Sequence, residues 1–163
     1  MNNEIPAIAK LKTDWLVSHV DVAFPAKETL LGKQLYLDSL THKTLQPFTP
    51  NTSTAPSLEI FLVDFHKMTV MFALSQSSMF KNDGDKANVL EFFTQIILSD
   101  EHNLYLAMTG GEVVGSAIST FASGDLLVSD LVYKGGEVAD LASRVIEVWE
   151  QDHTSTPNYW LEL

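Results

Sequence analysis

The sequence predicts an α/β fold, and three observations predict it. Apolar runs at 104–108, 113–118 and 126–133 are separated by short turns that carry Gly110, Gly111 and Gly124, so three consecutive strands pair antiparallel most economically. Segments with helical apolar spacing flank this meander on both sides. The chain has 163 residues, 45% of them apolar and 10% aromatic, which is enough to close one core and too apolar for a disordered segment.

In chain order, residues 1–13 read as a polar-leaning arm with Ile5, Ile8 and Leu11 at helical spacing. Residues 15–22 are rich in β-branched side chains and predict a strand that Phe24 and Pro25 end. A helix follows over 27–40, with Leu30, Leu31, Gln34, Leu35 and Leu37 at its spacing. Residues 1–42 thus form a strand–helix appendage. A short strand is expected at 44–48, and Pro50 to Pro56 is a loop, either a boundary or an ordinary surface loop.

Ser57 caps a predicted helix over 57–80 whose stripe is Leu58, Phe61, Leu62, Phe65, Met68 and Phe72. With Met71 these could line an acyl pocket, but at this spacing they read as core. Ser75, Ser77 and Ser78 read as solvated surface. A second helix, over 86–99, buries Val89, Leu90, Phe93, Ile96 and Ile97. After the meander, the 137–151 helix puts Val138, Leu141, Val145, Val148 and Trp149 on one face, with Arg144 and Glu147 outward. Pro157 ends that region and 158–163 is a last strand. Residues 14–18 resemble 125–129 at an offset of 111, both read as strands, and coincidence among common strand residues accounts for it.

Charge and residue types exclude several functions. Ten basic against 21 acidic residues give a formal charge of −11, which repels phosphate backbones and argues against a nucleic-acid partner. The absence of cysteine removes disulfides, thiolate metal sites and a cysteine nucleophile. His19, His42, His66, His102 and His153 show no paired spacing for a metal, and no metal is expected. No nucleophile elbow, P-loop or dinucleotide fingerprint occurs. The N-terminus has neither a basic leader nor a long apolar run, and later apolar runs are broken by charge, so a cytoplasmic protein with no membrane partner is expected.

The chemistry concentrates where the third meander strand ends. Tyr133 is followed by Lys134, Gly135, Gly136 and a helix, and the unpaired amides of a helix start can hold an anion. This corner, the element order, and three runs together resemble the GNAT superfamily of acyl-CoA-dependent N-acetyltransferases over about residues 43–163. The runs are Thr44-Leu45-Gln46-Pro47 opening the fold, Leu104-Tyr105-Leu106-Ala107 with Gly110-Gly111-Glu112-Val113-Val114-Gly115, and Ser129-Asp130-Leu131-Val132.

The resemblance implies a mixed, mainly antiparallel central sheet with helices on both faces, residues 43–163 packing with 1–42 as one globular unit. It implies acetyl-CoA as a substrate and a small-molecule or peptide amine as acceptor. Leu131 and Val132 would lie along the thioester arm, and Lys134, Gly135, Gly136, Val138 and Ala139 would cradle the pyrophosphate. Glu137 stands where the family has its central glycine; it suits the helix macrodipole but occupies the anion's position. The family continues past its fifth strand with a helix and two strands; here the sequence given stops at Leu163, and residues 1–41 are the section available for that space.

A general base is sought in Asp130, whose face it shares with Val128 and Val132, so that an apolar setting raises its pKa; hydrogen bonding to a neighbouring turn is the plainer role. Glu162 is the second candidate. Two functions follow: a GNAT-like N-acetyltransferase with a weakened pyrophosphate loop, or a catalytically inactive GNAT-like binding or dimerisation module, with a homodimer built through the appendage.

Overall fold

The computed structural model describes residues 7–51 and 57–163. Its elements are α1 (Ile8–Ser18), α2 (Lys27–Leu40), β1 (Leu45–Pro47), β2 (Glu59–Leu62), α3 (His66–Ser77), α4 (Asp83–Phe93), β3 (His102–Thr109), β4 (Glu112–Ala122), β5 (Asp125–Tyr133), α5 (Val138–Gln151) and β6 (Asn158–Glu162). The six strands form an open sheet in the order β1-β6-β5-β4-β3-β2. Among the described residues only β5 and β6 run parallel, and α5 makes the crossover between them. The fold is α/β with a mixed, mainly antiparallel sheet, as the sequence predicts.

Alternation along the strands divides the core in two. Leu104, Leu106 and Ile118 meet Leu16, Tyr36, Phe72 and Phe92 from the first four helices. Tyr105, Ala107, Ala117, Leu126 and Val128 meet Leu141, Val145 and Trp149 of α5. Residues of 1–42 therefore share a core with the sheet.

Four expectations are corrected. Residues 15–22 are not a strand: α1 runs through Ser18, because Ile8, Lys12 and Leu16 recur every four residues and bury one stripe. β-Branched content at 17–22 is a local preference that this tertiary contact overrides. Leu11 lies off the stripe, half exposed, and Ile5 lies outside the described residues. With 14–18 in a helix and 125–129 in a strand, the apparent repeat has no structural counterpart.

The helix expected over 57–80 splits. Glu59–Leu62 pairs antiparallel with β3, Glu59 opposite Met108 and Leu62 opposite Tyr105, and the helix starts only at His66. The free edge of β3 gives this apolar segment backbone partners that a helical turn would forgo. Asn82 then caps α4, its side-chain oxygen accepting from the amides of Gly84 at 2.7 Å and Asp85 at 3.2 Å. That helix ends at Phe93 rather than 99, which leaves Ile96 in the core and Ile97 exposed.

The strand at 44–48 exists, but it does not open the sheet beside the meander; β2 does. β1 pairs antiparallel with β6, Leu45 opposite Glu162, and Thr44 and Leu163 exchange backbone hydrogen bonds of 2.6 and 3.0 Å. The strand beyond β6 thus comes from just after the N-terminal section, whose described elements are the helices α1 and α2. The loop residues 52–56 lie outside the described residues.

Candidate functional site at the β5 bulge

The β4–β5 ladder slips by one residue where the site begins. Ser116 opposes Val132 and Ile118 opposes Ser129, so Asp130 and Leu131 together face the single residue Ala117. Asp130 takes a left-handed backbone, φ 53°, which costs a non-glycine residue about 1–3 kcal/mol and persists only where the surroundings fix it.

The surroundings do fix it. The Asp130 carbonyl accepts from Gln76 Nε2 at 2.6 Å. One carboxylate oxygen accepts from the Tyr36 hydroxyl at 2.7 Å, the other from Ser129 Oγ at 2.7 Å and from Lys12 Nζ at 3.1 Å. Lys12 also donates to the Tyr36 oxygen and to Glu162 Oε1, both at 2.7 Å. Lys12 is 0% and Asp130 3% exposed, so this is a buried charged network with all its partners in place.

The expected rise in the Asp130 pKa is corrected. Burial pushes it up, but the charges of Lys12 and Lys43 and the hydrogen bonds from Ser129 and Tyr36 outweigh burial and hold it below the usual carboxylate range. The setting is not apolar, because α1 and α2 bring a cation and a phenol to it. Burial pulls Lys12 down, and Asp130 and Glu162 more than offset this, leaving it raised. Tyr36 is pushed well up by burial and then by the Asp130 charge, so it remains a neutral phenol. The two carboxylates singled out in the sequence do come together, and Lys12 joins them.

Beyond this cluster the parallel pair splays. β6 accompanies β5 only from 125–128 against 158–161, and β5 continues to Tyr133 without it. Lys12 spans the gap between Asp130 on β5 and Glu162 on β6. A cavity of about 210 Å³ lies beside the bulge, walled by Tyr36, Lys43, Gln76, Phe80, Leu131 and Val132.

At the glycine corner the predicted residues separate. The Lys134 amide bonds the Val114 carbonyl at 2.8 Å, and Lys134 lines a different groove, of about 240 Å³, with Met71, Leu74 and Val113. A Cβ on Gly135 would stand 2.8 Å from the Tyr133 ring, so ring packing gives that glycine a reason, whereas one on Gly136 would make only an ordinary contact at 3.4 Å. Glu137 is the N-cap of α5, exposed, and no side chain caps the helix; Val138 and Ala139 begin its first turn. The corner therefore suits an anion in its uncapped amides and opposes one in Glu137. At Leu131 and Val132 the β5 edge turned away from β4 has no strand partner among the described residues.

Sequence reasoning missed Lys12, Tyr36, Lys43 and Gln76. The available signals were Lys12 falling on the Ile8 and Leu16 stripe, and Gly32 one turn before Tyr36. A Cβ on Gly32 would lie 2.0 Å from the Asn88 carbonyl, so the buried side of α2 is Thr29, Gly32 and Tyr36, while Leu30 and Leu31 stay exposed. The serine cluster is not simply solvated: Ser75 Oγ lies 2.7 Å from Ser116 Oγ, and Ser77 is buried.

With its β-meander, bulged β5, parallel β5/β6 splay and helix α5 between them, the chain has a GNAT-like fold. No family model matches the sequence, and no curated protein matches it. Among solved structures it is similar to a functionally unknown conserved protein from Staphylococcus epidermidis ATCC 12228, at 12% identity and a TM-score of 0.51 over 98% of this chain and 71% of that one. It is also similar to a GCN5-related N-acetyltransferase from Kribbella flavida, at 12% identity and a TM-score of 0.47 over 79% of this chain. The match spans 53% of that protein's length, about half. An aminoglycoside N-acetyltransferase in complex with CoA aligns at 14% identity and a TM-score of 0.41, over 66% of this chain and 76% of that one. Such identities speak to the fold alone.

Proposed function

We propose that the protein is an acyl-CoA-dependent N-acyltransferase acting on a small amine. The observation that carries this reading is the Asp130 bulge: a costly backbone, held by four side chains, at the point where β5 loses β6 and faces a cavity. In the transfer, the amine nitrogen attacks the thioester carbonyl, the C–N bond forms and the C–S bond breaks. The proton leaves the amine and ends on the departing sulfur, giving an amide and a free thiol. Leu131 and Val132 present backbone groups to the thioester arm, and the pyrophosphate lies at Lys134, Gly135, Gly136, Val138 and Ala139.

Asp130 serves in this reading as the fixed anion that shapes the bulge rather than as the base, because a carboxylate held ionised by Lys12 accepts a proton poorly. Residues 1–42 belong to the working unit, since Lys12 and Tyr36 build the site.

One observation favours a second reading, a catalytically silent module that keeps the fold for binding or dimerisation: Glu137 places a negative charge at the pyrophosphate position. Calorimetric titration of acetyl-CoA into the full chain separates the two. The enzyme reading expects saturable binding, and none at millimolar ligand would remove it.

A further inference from the structure

We infer that the free edge of β2 binds an extended peptide bearing lysine or arginine, which adds a strand to the sheet. β4 and β3 separate this edge from β5, so the inference stands apart from the bulge and from the acyltransferase reading.

The backbone of the edge is set for pairing. Val63 continues the register that puts Leu62 opposite Tyr105, and its amide donates to the Leu104 carbonyl at 2.8 Å. Bonded pairs alternate with unbonded ones in an antiparallel ladder, so Phe61 and Glu59 also turn their backbone groups toward β3. Ile60 and Leu62 turn theirs outward, where no strand pairs with them among the described residues. Each offers one donor and one acceptor at the sheet margin.

The two margins are guarded differently. β1, at the far margin, has three residues and ends in Pro47, which blunts pairing. From Leu58 to Phe65 the β2 segment contains neither lysine nor proline, and Phe61 is 40% exposed, Leu62 43% and Phe65 52%. An apolar edge without such guards is a template for another strand.

Charge selects the partner. Two grooves, of about 370 and 300 Å³, share Leu62, Asp100 and Asn103. The first adds Asp64, with Val63 and Leu104 of the core that meets α3 and α4; the second adds Asp152, with Tyr105 and Trp149 of the core that meets α5. Side chains of an added strand alternate between the faces and so meet a carboxylate on either. Neither groove is lined by lysine or arginine, and Asp64, Asp100 and Asp152 form no salt bridge among the described residues. Arg144, near the Leu58 end, is taken by the Leu58 carbonyl at 2.8 Å and by Glu147 at 3.2 Å. A second copy of the chain would bring the same carboxylates and a charge of −11, whereas a cationic peptide is drawn to them.

Titrating a capped hexapeptide of alternating lysine and valine into the full chain, followed by amide NMR, tests the inference. Saturable binding that shifts the Ile60 and Leu62 amides is expected. A glutamate–valine hexapeptide should bind at least about tenfold more weakly, and so should the lysine–valine peptide N-methylated at every residue, which keeps the charge and loses the strand donors. Asp100→Asn with Asp152→Asn should weaken binding about threefold to tenfold. Leu62→Pro removes an outward N–H and none bonded to β3, and should weaken it about tenfold; the N-methylated peptide on the unaltered chain decides the same point if that variant does not fold. Equal binding of the N-methylated peptide, shifts confined to other elements, or no binding at about 1 mM each overturns the inference. A stable dimer that Leu62→Pro dissociates would assign the edge to a second copy and overturn it as well.

Discussion

The bulge at Asp130 and the corner from Tyr133 to Ala139 are neighbours on the chain, yet they treat charge in opposite ways. At the bulge Lys12, Asp130 and Glu162 are buried and partnered, and the partners arrive from α1, α2, α3 and β6. At the corner the helix start has no side-chain cap, its N-cap residue Glu137 is acidic and exposed, and Asp140 adds a second carboxylate in the first turn. The contrast teaches that a satisfied network fixes shape, whereas unsatisfied groups leave room for a ligand.

The widest gap between the two regions appears on removing one charge from each. Lys12→Met strands two buried carboxylates and is expected to cost about 3–5 kcal/mol in urea unfolding; a loss below about 1 kcal/mol would mean the network is not holding the fold together.

Acid should act on the same side of the comparison. The Asp130 pKa is lower in the folded protein than in the unfolded chain, so its contribution is complete above the ordinary aspartate value of about 3.9 and is lost as pH falls through the folded value. Burial also lowers His19 and His102, so their contribution begins to fade already below about pH 6.5. Asp130→Asn is expected to flatten the acid limb of stability against pH below about 4 while sparing the histidine limb. Identical acid limbs in the two proteins would contradict the assignment.

The smallest stability change belongs to the corner. Glu137→Gly should alter unfolding free energy by less than about 0.5 kcal/mol, since the side chain caps nothing. It should nevertheless tighten acetyl-CoA by about tenfold. An unaltered affinity would show that the pyrophosphate does not lie there.

What the sequence made legible was local. The meander announced itself through alternating apolar runs and glycines with positive φ at Gly110, Gly111 and Gly124, and α5 through a single continuous apolar face. The glycine corner was legible for the same reason. The rest was decided by distant partners: residues 59–62 became a strand because β3 had a free edge, and α1 stayed helical because its stripe met the sheet. Lys12 carried no signal of its partner, since nothing near it in sequence discloses Glu162, 150 residues away. The corner could be found but not judged, because the Tyr133 ring packed on Gly135 is a matter of side-chain placement.

The placement of β1 on β6 bears on how the chain reaches this structure. Pairing Leu45 with Glu162 closes a very long loop, whereas β3, β4 and β5 pair with their sequence neighbours across tight turns. The meander can zip first, and the β6 edge waits until both distant segments arrive. In native-state hydrogen exchange the amides of Thr44 and Leu163, which bond to each other's carbonyls, should then open at lower free energy than those of Leu106 or Ile118. Lys12 fastens to Glu162 of that same strand, so the last edge to form is also the one that locks the bulge.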